Sequence, residues 1–174
     1  LKEFFDKLSA SQLSRLGWQP KADESNEDQV TRPYILSAAL YAENADAIAS
    51  AHTLFNQNKE NLAGLSADIR VFVLKNEVKN FGSDALFNQL LADYRKTADA
   101  SYKQDSCAAL TSTTDANLIA KLVSKFEDAD KIKPQDMRAW FRGVFANNDG
   151  QQAAWDWIRN DWQWLEDTVG GDME

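Results

Sequence analysis

Few residues in this chain are of a type that does chemistry, and their spacing limits what they can do. There is one histidine, His52, and one cysteine, Cys107. A thiol nucleophile needs an organised base, and the single imidazole lies on an unrelated helical pattern fifty-five positions away. His52 shares an apolar helical period with Ile48, Ala51 and Phe55, which predicts a hydrogen-bonded packing residue and not a ligand. Cys107 reads as a small buried side chain. No G-x-S-x-G elbow occurs, and the seven glycines are scattered, so no phosphate-cradling loop forms. The acidic pairs Glu127/Asp128 and Glu166/Asp167 fall on polar faces and read as solvated charge, not as an acid–base pair. Four of the six tryptophans crowd into residues 151–167, where indoles can stack on a sugar or base, but their helical spacing favours packing.

The elements that must position these residues are helical. Residues 1–16 form a helical pattern closed by Gly17, and residues 19–29 make a polar acidic loop, the stretch with the strongest disorder signal. Thr31-Arg32-Pro33 opens a helix through Ala42, and Asn44 caps the next. Further helices are expected over 67–80, from Ser83 through Tyr94, over 100–110 and over 116–126, with Asp115 as a cap. Residues 131–167 read as two helices around the turn Asn147-Asn148-Asp149-Gly150. Pro134 suits a first helical position, and Asp149 with Gln152 resembles a capping box. The first of these two helices is expected to present Met137, Trp140, Phe141, Val144 and Phe145 on one face, and the second to bury Trp155, Ile158, Trp162 and Leu165. Trp140, Trp155 and Trp162 are therefore the expected structural core. Period-two alternation never persists, so the fold class is all-α.

First helices of successive hairpins begin near Pro33, Ala67, Asp99 and Pro134, a spacing of roughly 32 to 35 residues that belongs to helical-repeat proteins. The tetratricopeptide signature is missing, so a HEAT- or armadillo-like curved superhelical layer is preferred, built as one domain over residues 1–174. Such a length can bury a real core. A net charge of −8 with a pI of about 4.7 argues against nucleic acid or an anionic membrane as partner. No apolar run is long enough to span a bilayer. A single cysteine and no glycosylation sequon fit a cytoplasmic address. Leu1 is not an initiator and begins in mid-pattern, so the chain is expected to be part of a longer one.

Several short pieces, in order along nearly the whole chain, carry a resemblance. They are Leu16-Gly17-Trp18, Ala51 with Leu54-Phe55, Ala67-Asp68-Ile69-Arg70, Ala109-Leu110, 131–136, Asn147 to Gly150, and Ala154-Trp155-Asp156-Trp157 leading to Trp162. Together they resemble the C-terminal helical domain of zinc aminopeptidases of the aminopeptidase N (gluzincin) family, with a closing segment most similar to bacterial members. The resemblance implies a helical bowl over a catalytic cleft, with zinc and the H-E-x-x-H helix in a separate catalytic domain of the same polypeptide. Peptides would be the substrates. This chain lacks that motif, so no catalytic residue, metal ligand or cofactor is expected within it. Gly171-Asp172-Met173-Glu174 matches four positions of the family's amine-binding Gly-x-Met-Glu-Asn motif, but follows the wrong helix and reads as chance.

In antigen-trimming relatives, basic residues on the bowl's inner wall receive the peptide's carboxyl terminus. The corresponding positions here are Ser112 and Ala146, which cannot do so, while Arg70, Lys133, Arg138 and Arg142 are the remaining basic candidates. The implied function is a non-catalytic domain that caps the active-site cavity and controls peptide access. The rival readings are a stand-alone helical scaffold that binds another protein and, more remotely, an enzyme using Cys107.

Overall fold

The computed structural model describes residues 1–169, and these contain ten α-helices, two 3-10 turns and no strand. The helices are α1 (Lys2–Leu16), α2 (Asn26–Tyr41), α3 (Ala45–Asn58), α4 (Ala67–Phe81), α5 (Asp84–Lys96), α6 (Ala100–Leu110), α7 (Ala116–Val123), α8 (Met137–Ala146), α9 (Gln151–Asn160) and α10 (Trp162–Val169). Short 3-10 turns occupy Leu62–Gly64 and Pro134–Asp136. Gly171-Asp172-Met173-Glu174 lies outside the described residues.

Helix starts follow the capping chemistry. Asn44 accepts from the Ala47 N–H at 2.9 Å and Ser83 from that of Leu86 at 3.2 Å. Asp99 accepts from Ser101 and Tyr102, and Asp115 from Asn117 and Leu118. Two starts differ from expectation. Helix α2 begins at Asn26, not at Thr31, because Ser25 accepts from the Asp28 N–H at 3.2 Å and Glu27 and Asp28 place negative charge on the first turn. Pro33 therefore sits inside the helix. Asp149 makes no cap either; α9 starts after Gly150 with no side-chain cap, and Asn147 Oδ1 takes the Asp149 N–H at 3.1 Å.

The expected acidic loop is correspondingly shorter and is tied down. The Glu24 carboxylate pairs with the Arg32 guanidinium, and both side chains are almost fully buried. Arg15 pairs with Asp28 at 2.7 Å, and Lys21 Nζ donates to the Arg15 carbonyl at 2.5 Å.

The chain forms two compact units, Leu1–Glu77 and from Val78 onward. The division falls inside α4, whose Ile69, Val73, Leu74 and Val78 are all buried. No linker or change of composition marks such a boundary. In the first unit α1 packs on α2 and α2 on α3, around Leu16, Leu36, Ala39, Ala47 and Ala51. In the second unit α5 packs on α6, α6 on α8, and α7 on α9. Its core holds Leu90, Leu110, Leu122, Phe126, Ile132, Met137 and Trp140, with Trp140 wholly buried.

The second expected helix of 131–167 is two helices, α9 and α10, broken at Asp161. Its buried face is not the expected one. Trp157 is 7% exposed, while Trp155 and Trp162 are 52% and 55% exposed. Trp157 meets Phe126 at 5.5 Å, Phe141 at 5.2 Å and Trp164 at 5.6 Å between ring centroids, and Ala154 beside it is fully buried. The small Ala154 lets α9 approach closely and turns Trp157 inward, so Trp155 and Trp162 are surface residues and not core.

Candidate functional site

The groove between α6 and α8 gathers several of the side chains that the sequence singles out. Its two ends differ in chemistry. At the C-terminal ends of the helices the packing is so close that a Cβ on Gly143 would overlap the Thr111 side chain. Only glycine fits there. Beside it the Asn147 amide donates to the carbonyls of Thr111 at 3.1 Å and Thr113 at 2.6 Å. Ser112 and Ala146 each adjoin a residue of this contact in sequence. The Ser112 hydroxyl donates back to the Ala109 carbonyl at 2.7 Å, and Ala146 is exposed. The groove thus has no cationic side chain at either of these positions.

At the N-terminal ends a cleft of about 370 Å³ opens, lined by Tyr94, Lys103, Cys107, Asp136, Arg138 and Arg142 among others. A neighbouring cleft of about 240 Å³ shares Tyr94, Lys103 and Asp136 and adds Arg95, Lys131 and Lys133. Arg138 and Lys133, both exposed, are therefore brought to adjoining clefts, while Ser112 and Ala146 are at the other end of the same helices. Arg70 belongs to the first unit. It is buried and donates to the Ala63 carbonyl at 2.9 Å.

Three groups in the cleft were not candidates on sequence grounds. The Tyr94 hydroxyl donates to Asp136 Oδ2 at 2.7 Å, and its ring meets the Trp140 indole edge-on at 5.0 Å. Lys103 Nζ lies over the Tyr94 ring, 5.5 Å from its centroid. Burial, and secondarily the Asp136 carboxylate, push the Tyr94 hydroxyl far above its ordinary range. The residues are forty-two positions apart, and nothing in a local pattern links Tyr94 to Asp136.

Cys107 forms part of the cleft wall but does not offer a nucleophile. Burial, with a contribution from Asp136, pushes its thiol up to about 12, so it is protonated at neutral pH. His52 is committed elsewhere: its Nδ1 meets Glu77 Oε2 at 2.8 Å and its Nε2 meets the Asn56 amide at 3.0 Å. Both ring nitrogens are thus engaged, as in a packing residue.

Among the described residues no group of three or more His, Cys, Asp and Glu side chains is placed to hold a metal, and the one imidazole is engaged as above. No helix among them is long and apolar enough to cross a membrane.

Comparison with known proteins adds the following. The family model described as "ERAP1-like C-terminal domain" matches residues 1–174. The chain is 58% identical over its whole length to aminopeptidase N of Lactobacillus helveticus and 44% identical over 168 residues to aminopeptidase N of Lactococcus lactis subsp. lactis. It is also 30% identical over 150 residues to glutamyl aminopeptidase of Mus musculus. It covers 21%, 20% and 16% of these proteins respectively, so it spans about a fifth or less of the relatives it matches.

Proposed function

The chain belongs to the ERAP1-like C-terminal domain family, and from that premise we propose that it is the non-catalytic C-terminal domain of a zinc-dependent aminopeptidase, capping the active-site cavity and governing which peptides reach it. The observation that carries this reading is the match of the entire chain to a C-terminal domain found in aminopeptidases about five times as long. In this reading peptide hydrolysis and the zinc that supports it belong to another part of that polypeptide; among the described residues no group of His, Cys, Asp and Glu is placed to hold a metal, and the Cys107 thiol is pushed up to about 12.

Architecture supports the capping role. First helices of successive hairpins start at Asn26, Ala67, Ala100 and Met137, and in the second unit first helix packs on first helix (α6 on α8) and second on second (α7 on α9). Stacking of this kind supports a HEAT- or armadillo-like layer with a concave side. A concave wall over an active site admits short unfolded peptides and excludes folded chains. Ser112 and Ala146 supply no charge, so such a wall grips no peptide carboxylate at that end of the α6/α8 groove.

The test is a ladder of peptides with one N-terminal residue and increasing length, run on the intact parent enzyme. Broad acceptance of short peptides without a sharp optimum is expected. Ser112→Arg or Ala146→Arg should introduce a length preference, read as a change in kcat/KM along the ladder. A sharp optimum in the unmodified parent, or no response to either arginine, overturns the reading.

A further inference from the structure

The apolar period that makes residues 151–167 look like a core helix is real, but the seam it defines is on the outside. Trp155, Ile158, Trp162 and Leu165 follow one another at intervals of three, four and three residues, the spacing by which two helices interlock side chains. The backbone departs from helical geometry at Asp161, yet Trp157 and Trp164, seven positions apart across the break between α9 and α10, still meet at 5.6 Å between ring centroids. The Asp161 N–H donates to the Trp157 carbonyl at 2.9 Å and the Leu165 N–H to the Asp161 carbonyl at 3.1 Å, so positions seven apart keep the same side. The second unit does not use this side. It buries the neighbouring face through Ala154 and Trp157, against Phe126 and Phe141. Trp155 and Trp162 are left half-exposed, in contrast to the buried Trp18, Trp140 and Trp157. The flank away from the core carries exposed Gln152, Arg159 and Glu166, as the rim of a helix seam does.

We infer that the Trp155–Ile158–Trp162–Leu165 seam is a docking surface for an amphipathic helix from another part of the same, longer polypeptide. Two arguments select this occupant. Relatives up to 58% identical are about five times as long as this chain, so most of such a polypeptide lies outside it. The seam is also too small to hold a free partner. Its two half-exposed indoles and two half-buried aliphatic side chains offer on the order of 300–400 Å², against about 800 Å² per partner for a stable interface. A helix on the same chain needs no such area, because attachment gives it a high effective concentration.

The inference rests on the chain being part of a longer aminopeptidase but not on the capping role, and burial is read without turnover. Hydroxyl-radical footprinting of the intact parent enzyme, referenced to the same polypeptide unfolded in urea, measures it directly. Trp155 and Trp162 should be protected about tenfold or more, as strongly as Trp140, and the protection should persist on dilution. Reaction within about twofold of the unfolded rate would overturn the inference. So would protection that disappears on dilution, which would assign the seam to a second copy. If the footprint holds and the peptide ladder fails, the capping role alone is lost.

Discussion

Cys107 has a thiol held near 12 by burial, so at pH 8 only about one molecule in ten thousand carries the thiolate. Labelling by thiol reagents should be slower than for a free cysteine by about three orders of magnitude, and modification at the free-thiol rate would show that the side chain is open. The same shift has a sign for stability. An acid whose pKa is raised on folding contributes stability that is complete below its unfolded value and declines as pH rises toward the folded one. Stability should fall from about pH 9 upward, and Cys107→Ala should flatten part of that decline, with the buried Tyr94 supplying another part. An unchanged alkaline limb in urea titrations would refute the assignment. Glu24 and Arg32 make a different prediction. Glu24→Gln leaves a buried guanidinium without its counter-charge and should cost about 3–5 kcal/mol in denaturant unfolding. A loss below about 1 kcal/mol would mean that water reaches the pair. The buried thiol is readable from sequence because a lone cysteine in an apolar helix has few alternatives. The Glu24–Arg32 pair is not, because Glu24 precedes the Ser25 cap while Arg32 lies inside α2, eight positions on.

Among the elements, α9 is where sequence and structure part most instructively. A period of bulky apolar residues identifies a face but not its partner. The seam through Trp155 and Trp162 is heavier than the one through Ala154 and Trp157, yet the lighter one is buried because the small residue allows close approach. Trp157→Ala should therefore cost about 3–5 kcal/mol in the 174-residue chain, while Trp155→Ala or Trp162→Ala should change stability by under about 1 kcal/mol. Equal losses at all three, measured by urea unfolding, would put the wrong face inside. The start of α2 was legible after all: Ser25 followed by Asp28 is the capping pattern, and Pro33 is the more conspicuous but weaker signal. Gly143 packs directly against the Thr111 side chain. Gly143→Ala forces a methyl against Thr111 and should destabilise by about 1–3 kcal/mol despite its better helix propensity. A stabilised variant would show that Thr111 swings clear.

For the whole molecule, all-helical architecture was legible because strand periodicity is missing, and five caps stand where hydrogen-bonding side chains precede apolar runs. The division into two units was not, since it falls within α4, where buried residues continue on both sides. A piece ending at Phe81 retains the complete helix, whereas one ending at Glu77 removes Val78 and leaves the preceding carbonyls without donors. The longer piece should show the higher thermal midpoint by circular dichroism. Equal midpoints would mean that the last turn of α4 adds nothing to the first unit.

The fork of hydrogen bonds from Asn147 also governs where this chain can change length. Its amide holds the Thr111 and Thr113 carbonyls while its own carbonyl oxygen takes the Asp149 N–H, so two consecutive turns are locked to one side chain. An insertion at either turn must break that lock and shift one hairpin against the next. The connection over 127–131, largely exposed and held by local hydrogen bonds, has no such tie among the described residues. Added residues, a tag or a reporter domain belong there, and natural variation in length should collect there while the Asn147 turn keeps its count.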